Sequence, residues 1–342
     1  MIEDKVIEYK LIDREEQYMS GVAEIYNLVY PEAEAKTAEY FINKHFTNPV
    51  NDGVTACIAL DGDKVAGAAF FVSGEYLYQN KIYKSALPCD YMVHPDYQRQ
   101  GISKKFSDIV EEYFRGIGYD FLTTFPSPIT KIGWLRNQWK EVFVFDYFIL
   151  PYVPFLNSKL RKEARKVKDK ASVQIGSIDI FDENDYQMLN MDDGKFRLKR
   201  SRELYSFKFD DKRMKHHYVK VSDNGGVKLL LAAREDPRKV KGIPITCVGI
   251  VDYKSICASI EDEAAYFALA IEVLRTKGRV IVIWESTDDR FNDMLVDRLN
   301  FKNLSKLNIG KSEHYYLVKA LKPGLEVEDA KRWDLQWVDV DL

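Results

Sequence analysis

The spacing of apolar positions changes several times along the chain, and each change predicts an element. In residues 15–30, Tyr18, Val22, Ile25, Tyr26 and Val29 recur at steps of three and four, the stripe of a helix that Pro31 stops. A second helical stretch covers 32–46 and ends before Asn48-Pro49. The period then shortens to that of strands: 54–60, a turn at Asp61-Gly62, a returning strand 64–72, and a second pair around 75–78 and 81–93. Residues 102–116 are helical again, with Phe106, Ile109, Val110, Tyr113 and Phe114 as the buried stripe. A short strand over 119–124 is broken by Pro126-Ser127-Pro128, and a helical turn through Trp134 leads to a strand over 142–150.

The second half repeats this order. Hairpin strands 217–221 and 227–233 flank Asn224-Gly225-Gly226, and a strand follows over 245–253. A helix over 262–277 carries Ala265, Ala268, Leu269, Ile271 and Leu274, then come a strand 280–284, a helix 289–299 and a closing strand 314–320. Between the halves, residues 151–171 hold Lys159, Arg161, Lys162, Arg165, Lys166, Lys168 and Lys170, which predict a solvated basic connecting helix. A length of 342 residues suits two domains. The expected division is 1–152, a linker helix 153–172, and 173–342, and the expected class is α+β, each domain a mixed, mostly antiparallel sheet flanked by helices. An internal duplication accounts for the repeated order more economically than two unrelated domains.

Composition narrows the function classes. The 50 basic and 53 acidic residues leave a net charge of −3, which argues against nucleic acid as a partner. Hydrophobic residues at 46% with 30% charged exclude global disorder. No apolar run is long enough to span a membrane, and the start MIEDKVIEYK has no secretory apolar region, so a cytoplasmic location is expected. Cys57, Cys89, Cys247 and Cys257 form no CxxC and stand near no His at ligand spacing; free thiols and no metal site are expected.

One stretch carries chemistry. Asp90-Tyr91-Met92-Val93 ends a strand, the chain turns at Pro95, and Gln98-Arg99-Gln100-Gly101-Ile102-Ser103 opens the helix over 102–116. Backbone N–H groups from Gln98 to Ser103 converge at a helix N-terminus, where the dipole favours a diphosphate. Gly101 permits close backbone approach, and Ser103 is small enough not to obstruct it. From spacing alone, a plain strand-to-helix turn containing Gly fits equally well.

This stretch resembles the Gln/Arg-x-x-Gly-x-Gly/Ala loop of the GCN5-related N-acetyltransferases (GNAT), with Ser103 in place of the last Gly or Ala. The order of elements over 1–150 resembles that family too. The resemblance implies that Met92 and Val93 offer backbone groups to the acyl and pantetheine part of acetyl-CoA, and that Gln98, Arg99, Gln100, Gly101, Ile102 and Ser103 wrap its pyrophosphate. It implies a helix along the pantetheine over 126–139, where relatives carry an Asn and then a Tyr that protonates the leaving thiolate. Here Ser127 and Trp134 stand near those positions, so water or another tyrosine such as Tyr147 has to substitute; Trp139 is read as core packing. An amine must lose a proton before attacking a thioester, which makes Asp90 the first base candidate and His94 a lesser one. Strand alternation turns Asp90 away from the acyl group unless a bulge reverses the parity and displaces Tyr91.

In the second half, Lys-Ser-Ile-Cys-Ala-Ser-Ile-Glu-Asp-Glu follows the strand 245–253 with no Gly and three acids at the helix start, which would repel a diphosphate. Leu299-Asn300-Phe301 resembles the family's closing Leu-Gly-Phe turn, so this half is read as a degenerate copy that walls the acceptor pocket. The stretch from Phe196 to Phe207 is basic and aromatic and resembles a segment of tandem acetyltransferases associated with bacterial surface polysaccharides. There Arg200 and Arg202 receive an acceptor phosphate or carboxylate, or else belong to a surface helix over packed aromatics. The tail, with Trp333, Trp337, Asp339 and Asp341, alternates like an added edge strand that docks on the body. The resemblance thus implies an N-acyltransferase that moves an acetyl group from acetyl-CoA to a primary amine of a small molecule, an amino sugar being one candidate. The alternatives are an aminoacyl-tRNA-dependent transferase and a non-catalytic acetyl-CoA-binding scaffold.

Overall fold

The computed structural model describes residues 6–51, 53–151, 153, 157–209, 214–240, 242–307 and 314–340. Part of the linker expectation (152 and 154–156) and Asp341 lie outside the described residues. In chain order the first half runs β1 (Glu8–Ile12), α1 (Met19–Val29), α2 (Ala38–His45), β2 (Ala56–Asp61), β3 (Lys64–Tyr78), β4 (Lys81–Val93), α3 (Ile102–Gly116), β5 (Phe121–Thr124), α4 (Pro128–Arg136), β6 (Lys140–Phe145) and β7 (Tyr147–Pro151). Then follow α5 (Ser158–Arg165), β8 (Ser172–Gly176), α6 (Glu183–Leu189), β9 (Arg197–Leu198), α7 (Arg202–Phe209), β10 (His216–Asp223), β11 (Gly226–Val240) and β12 (Ile243–Ser255). The last elements are α8 (Ile260–Leu274), β13 (Val280–Trp284), α9 (Asp289–Asp293), β14 (Lys302–Asn303) and β15 (His314–Ala320). No helix among the described residues is long and apolar enough to cross a membrane.

Two mixed sheets organise these elements. The first runs β1-β2-β3-β4-β5-β15-β6 and the second β14-β7-β13-β12-β11-β10-β8. In each, a long hairpin leads to a helix and a parallel return strand: β3–β4, α3 and β5 in the first, β11–β12, α8 and β13 in the second. The corresponding pieces match in length, 15, 13 and 15 residues for β3, β4 and α3 and the same for β11, β12 and α8. The halves also exchange a strand. β7 leaves the first half to pair with β13, and β15 returns from the second half to lie between β5 and β6.

Three differences from the sequence expectation have physical causes. Glu8–Ile12 is a strand, paired antiparallel with β2 at the sheet edge, where its charged Glu8 and Lys10 hide the alternation. The strand expected over 142–150 is two strands that part at Asp146 and enter different sheets, although the apolar pattern runs on without a break. The tail docks as expected but not as a strand. It forms short 3₁₀ turns and a single bridge from Trp333 to Phe196. The basic helix α5 keeps its lysines outward and places Leu160, Ala164 and Val167 in the second core beside Ala265, Ala268 and Ile271 of α8.

Four apolar clusters hold the layers together. One lies between the first sheet and α3, one between that sheet and α1–α2, and one between the second sheet and α5–α8. The fourth joins both halves and is largely aromatic: Phe121 and Phe145, Trp284 and Tyr316, and Trp333 and Trp337 of the tail. Trp337 lies so close to β12 that a Cβ on Gly249 would come within 2.9 Å of its ring. Trp333 is fully buried, its ring edge-on to Tyr76, Phe121 and Tyr316 and stacked on Phe196, with its indole N–H donating to the Val327 carbonyl at 2.9 Å. Trp333→Ala is expected to cost about 3–5 kcal/mol, read as a lowered urea midpoint; an unchanged midpoint would show that the tail is not part of the core.

Candidate acyl-transfer site

The site begins where β4 and β5 part. Their parallel pairing covers only Ser85 with Phe121 and Ala86 with Leu122; beyond it the Thr124 hydroxyl donates to the Pro88 carbonyl at 3.4 Å, and past Pro88 no β5 partner of β4 is found among the described residues, so a slot opens toward Val93. On its other side β4 stays paired with β3, but with a bulge. Ala68 pairs with Met92 and Phe70 with Cys89, leaving Asp90 and Tyr91 together opposite Ala69. Asp90 takes a left-handed conformation, φ 44°, uncommon outside glycine.

The bulge decides which way each side chain goes. Asp90 turns toward α2, where its carboxylate accepts from Lys44 Nζ at 2.9 Å and meets His45 Nε2 at 2.9 Å. These two cationic or donating partners hold the Asp90 carboxyl below the usual carboxylate range against the opposing effect of burial. A carboxylate held that firmly ionised is a weak proton acceptor at neutral pH and a good partner for a cation. His45 is fully buried, its ring stacked on Phe70 at 4.0 Å, with Nδ1 unpartnered. Tyr30 is half-exposed nearby, its hydroxyl pKa raised by burial and then by Asp90. Lys44 and His45 had not been singled out from the sequence; the available signal was a histidine four residues after Phe41, on the buried face of α2.

Tyr91 turns the opposite way, edge-on to Phe106 of α3 at 6.0 Å and to Trp134 of α4 at 5.2 Å. Burial lifts its hydroxyl well above the ordinary tyrosine range, against a smaller opposing effect of the Ser107 hydroxyl. Met92 is buried against α1–α2, and Val93 is half-buried on the α3 side. Trp139 is core, 3% exposed, as its sequence reading expects.

The loop between β4 and α3 braces itself. Gln98 Nε2 donates to the Val93 carbonyl at 3.3 Å, Gln100 Nε2 donates to the Asp96 carbonyl at 3.1 Å, and His94 Nδ1 accepts from the Asp96 N–H at 3.2 Å. His94 is therefore buried as a loop cap rather than presented as a base. Arg99 and Gly101 are both left-handed, φ 61° and 82°, and Gly101 is the N-cap of α3 with no side chain capping the helix. Successive turns of this kind aim N–H groups into one concavity. A Cβ on Gly101 would meet nothing within 4 Å, so the space before the helix end is open to a ligand. Ile102 is buried under the helix while Ser103 is exposed, so Ile102 can contribute only its backbone to that space.

The remaining sequence candidates lie elsewhere. Arg200 is fully buried and saturated: it donates to both Asp252 oxygens at 2.8 and 3.1 Å and to the Leu198 carbonyl, with Asp339 at 3.8 Å. It is thus an internal ion-pair centre, because no guanidinium face is left for an acceptor. Arg202 is exposed on α7 and paired with Asp179. Tyr147 lies at the junction of the two sheets, its hydroxyl 2.9 Å from His314 Nε2 and its ring against Trp284 and Trp337. Asp339 is buried, and burial pushes its carboxyl up to about 6 against the pull of Arg200. Among the described residues no cluster of His, Cys, Asp and Glu could hold a metal ion.

A split parallel pair, a bulge beside it and a glycine-capped helix define a class, the acyltransferases built on the GNAT fold. The sequence of residues 10–134 matches the model of the acetyltransferase (GNAT) domain. No curated protein matches the sequence. Among solved structures, a GCN5-related N-acetyltransferase from Anabaena variabilis superposes with a TM-score of 0.65 at 9% identity, covering 93% of this chain and 73% of that one. A tandem GNAT protein from the clavulanic acid biosynthesis pathway gives 0.57 at 11% identity, covering 94% of this chain and all of that one (100%). N-myristoyltransferase from Saccharomyces cerevisiae, solved with myristoyl-CoA, gives 0.53 at 12% identity over 98% of this chain and 89% of that one. At such identities the likeness is one of fold. It extends the tandem GNAT-like architecture over both halves, as the sequence order suggests.

Because the Asp90 carboxyl titrates lower when folded than when unfolded, its pairing stabilises the protein above about pH 4 and is lost as the pH falls further. Asp90→Asn is expected to cost about 1–3 kcal/mol near pH 6, less than a fully buried pair because the Asp90 side chain is 22% exposed. That cost should shrink toward pH 3. Urea unfolding of both proteins at the two pH values checks it, and a pH-independent difference would refute the ion-pair assignment.

Proposed function

We propose that the protein transfers an acyl group, acetyl in the first instance, from acyl-CoA to a primary amine of a small molecule. The observation that carries this reading is the coincidence, on one strand end, of the glycine-capped N-terminus of α3 with the Asp90 bulge at the parting of β4 and β5. The N–H groups of Gln98, Arg99, Gln100, Gly101, Ile102 and Ser103 would hold the pyrophosphate, supported by the α3 dipole. Arg99 and Lys105 are exposed near that position, while Lys104 is paired with Asp108 along α3 at 2.7 Å. The unpaired side of Met92 and Val93 would receive the pantetheine and the thioester carbonyl, where a backbone N–H aimed at the developing oxyanion lowers the barrier.

The acceptor side is that of α2. Asp90, kept ionised by Lys44 and His45, would attract the ammonium form of the amine and position it, while water takes the proton before attack on the thioester. The amine nitrogen then bonds the acyl carbon, the carbon–sulfur bond breaks, and the nitrogen's excess proton passes through water to the leaving CoA thiolate. Tyr91, its ring edge-on to Trp134 and its hydroxyl kept protonated by burial, is the tyrosine that could donate a hydrogen bond to that thiolate. Tyr147, engaged by His314, is a weaker candidate for this donor. An amino sugar remains the acceptor suggested by the resemblance, and Arg202 is the exposed guanidinium of the two considered for it.

Calorimetric titration of acetyl-CoA tests the loop. One site is expected in the wild type, weakened by more than about tenfold (about 1.4 kcal/mol) in Gly101→Glu. Gly101→Ala carries the same left-handed backbone strain without the charge, and it should lose far less. CoA release with a panel of amines then tests transfer. Wild type that binds no acetyl-CoA, or a Gly101→Glu that binds normally, would overturn the assignment; binding without turnover would favour a scaffold.

A further inference from the structure

The second sheet has its own parting strands. β12 and β13 pair in parallel from Cys247 with Val280 to Ile250 with Ile283, and then diverge. β12 also carries a bulge, with Ala232 opposite Asp252 and Ala233 opposite Ile250. Beyond the divergence is a cavity of about 150 Å³, closed by β9, the ends of β12 and β13, the first turn of α8 and Asp334 of the tail. This volume is too small for a nucleotide or CoA. The acids Glu261, Asp262 and Glu263 in the first turn of α8 oppose a diphosphate there.

Arg197 lines this cavity and is 5% exposed. Its Nη2 donates to Asp193 at 2.9 Å and pairs with Asp334, but Nε and Nη1 are buried without any hydrogen-bond partner. Leaving such donors unsatisfied costs about 1–3 kcal/mol each, so a buried guanidinium with two spare N–H groups on a cavity indicates a missing acceptor. Lys254, 7% exposed, extends the same wall. Its Nζ donates to Asp193 at 2.8 Å and to the Met191 carbonyl at 3.3 Å, and burial together with Arg197 lowers its pKa to about 8.

Glu263 also lines the cavity, and its carboxyl enters no ion pair among the described residues. Burial and the neighbouring Asp288 raise its pKa to about 7. The lining charges nearly cancel: Lys195, Arg197 and Lys254 stand against Asp193, Glu263 and Asp334, and Asp288 is paired with Arg290 at 3.1 Å. A ligand of net charge gains little from such a lining. A dipolar one gains at both ends, since the spare donors are on Arg197 and the spare acceptor is on Glu263.

We propose that this cleft binds a small zwitterion, an α-amino acid or a compound of the same head-group chemistry, with its carboxylate accepting from one of the two spare N–H groups of Arg197 and its ammonium on Glu263. The site is separate from the acyl-CoA loop of the first half and does not depend on that assignment.

Calorimetric titration of the full chain with each of the twenty standard amino acids tests the proposal, with acetate and methylamine as single-charge controls. At least one amino acid should bind one to one, with each control weaker by about tenfold or more. Glu263→Gln should weaken the amino acid by about tenfold and leave acetyl-CoA titration unchanged. That variant is the informative one, because Arg197→Ala also strips partners from Asp193 and Asp334 and could unfold the protein. No binding by any amino acid, equal binding of acetate, or full affinity in Glu263→Gln would each overturn the proposal.

Discussion

Everything distinctive about the first half follows from how soon β4 and β5 separate. Two parallel residue pairs and the Thr124 hydroxyl on the Pro88 carbonyl hold them, and after Pro88 the backbone of β4 must find other partners on that side or face a ligand. The bulge at Asp90 and Tyr91 is placed within this unpaired stretch, and it sends one side chain to α2 and the next to α3. The slot, the acceptor-side carboxylate and the loop that ends in Gly101 are consequences of one strand leaving its neighbour. A regular strand in the same place would leave neither the opening nor the change of side-chain parity.

A sheet split in this way needs support beyond the split, and the exchanged strands provide it. β15 pairs with β5 on one side and β6 on the other, so a strand from near the end of the chain completes the sheet of the first half. β7 does the same for β13 in the second sheet. The aromatic cluster between the sheets includes residues on these crossing strands, Tyr316 and Val318 from β15, and Trp333 of the tail closes it. The two halves are therefore mutually dependent at the level of backbone hydrogen bonds and not only at a packed surface.

This interdependence marks where the sequence could be read and where it could not. Local periodicity was sufficient for α3, whose stripe of Phe106, Val110 and Phe114 repeats at helical spacing, and for β13 and β15, which occupy the residues their apolar runs predict. The Gly101 loop was legible because its geometry is set by neighbours a few residues away. Strand exchange was not legible, since the alternation through 142–150 is unchanged where the chain crosses between sheets at Asp146. Nor was the fate of Arg200, whose partner Asp252 is 52 residues distant; a basic residue beside aromatics reads alike on a surface or in a core until its counter-ion is found. Lys44 and His45 were missed for the same reason, being tied to Asp90 across 46 and 45 residues.

The two halves show how one backbone plan supports different chemistry at equivalent places. Hairpin strands and helix agree in length and the second hairpin strand, β4 or β12, is bulged in both, yet the loops that follow diverge. After β4 the helix end is capped by a left-handed glycine with open space before it. After β12 it is capped by the Ser259 side chain, which accepts the Asp262 N–H, and three acids fill the first turn. A side-chain cap and acidic first turn stabilise a helix end and close it to phosphate, whereas a bare glycine cap leaves the N–H groups to a ligand. The start of α8 is thereby satisfied by its own side chains. The cleft beside it remains, lined by Arg197, Lys254 and Glu263 in place of an open backbone slot. Recognition by side chains in a small cavity selects a small polar ligand, while recognition by backbone N–H groups in an open slot selects a long one held at its phosphates. The same parting of strands is therefore followed by two different surroundings in one chain, an open helix end in the first half and charged side chains in the second.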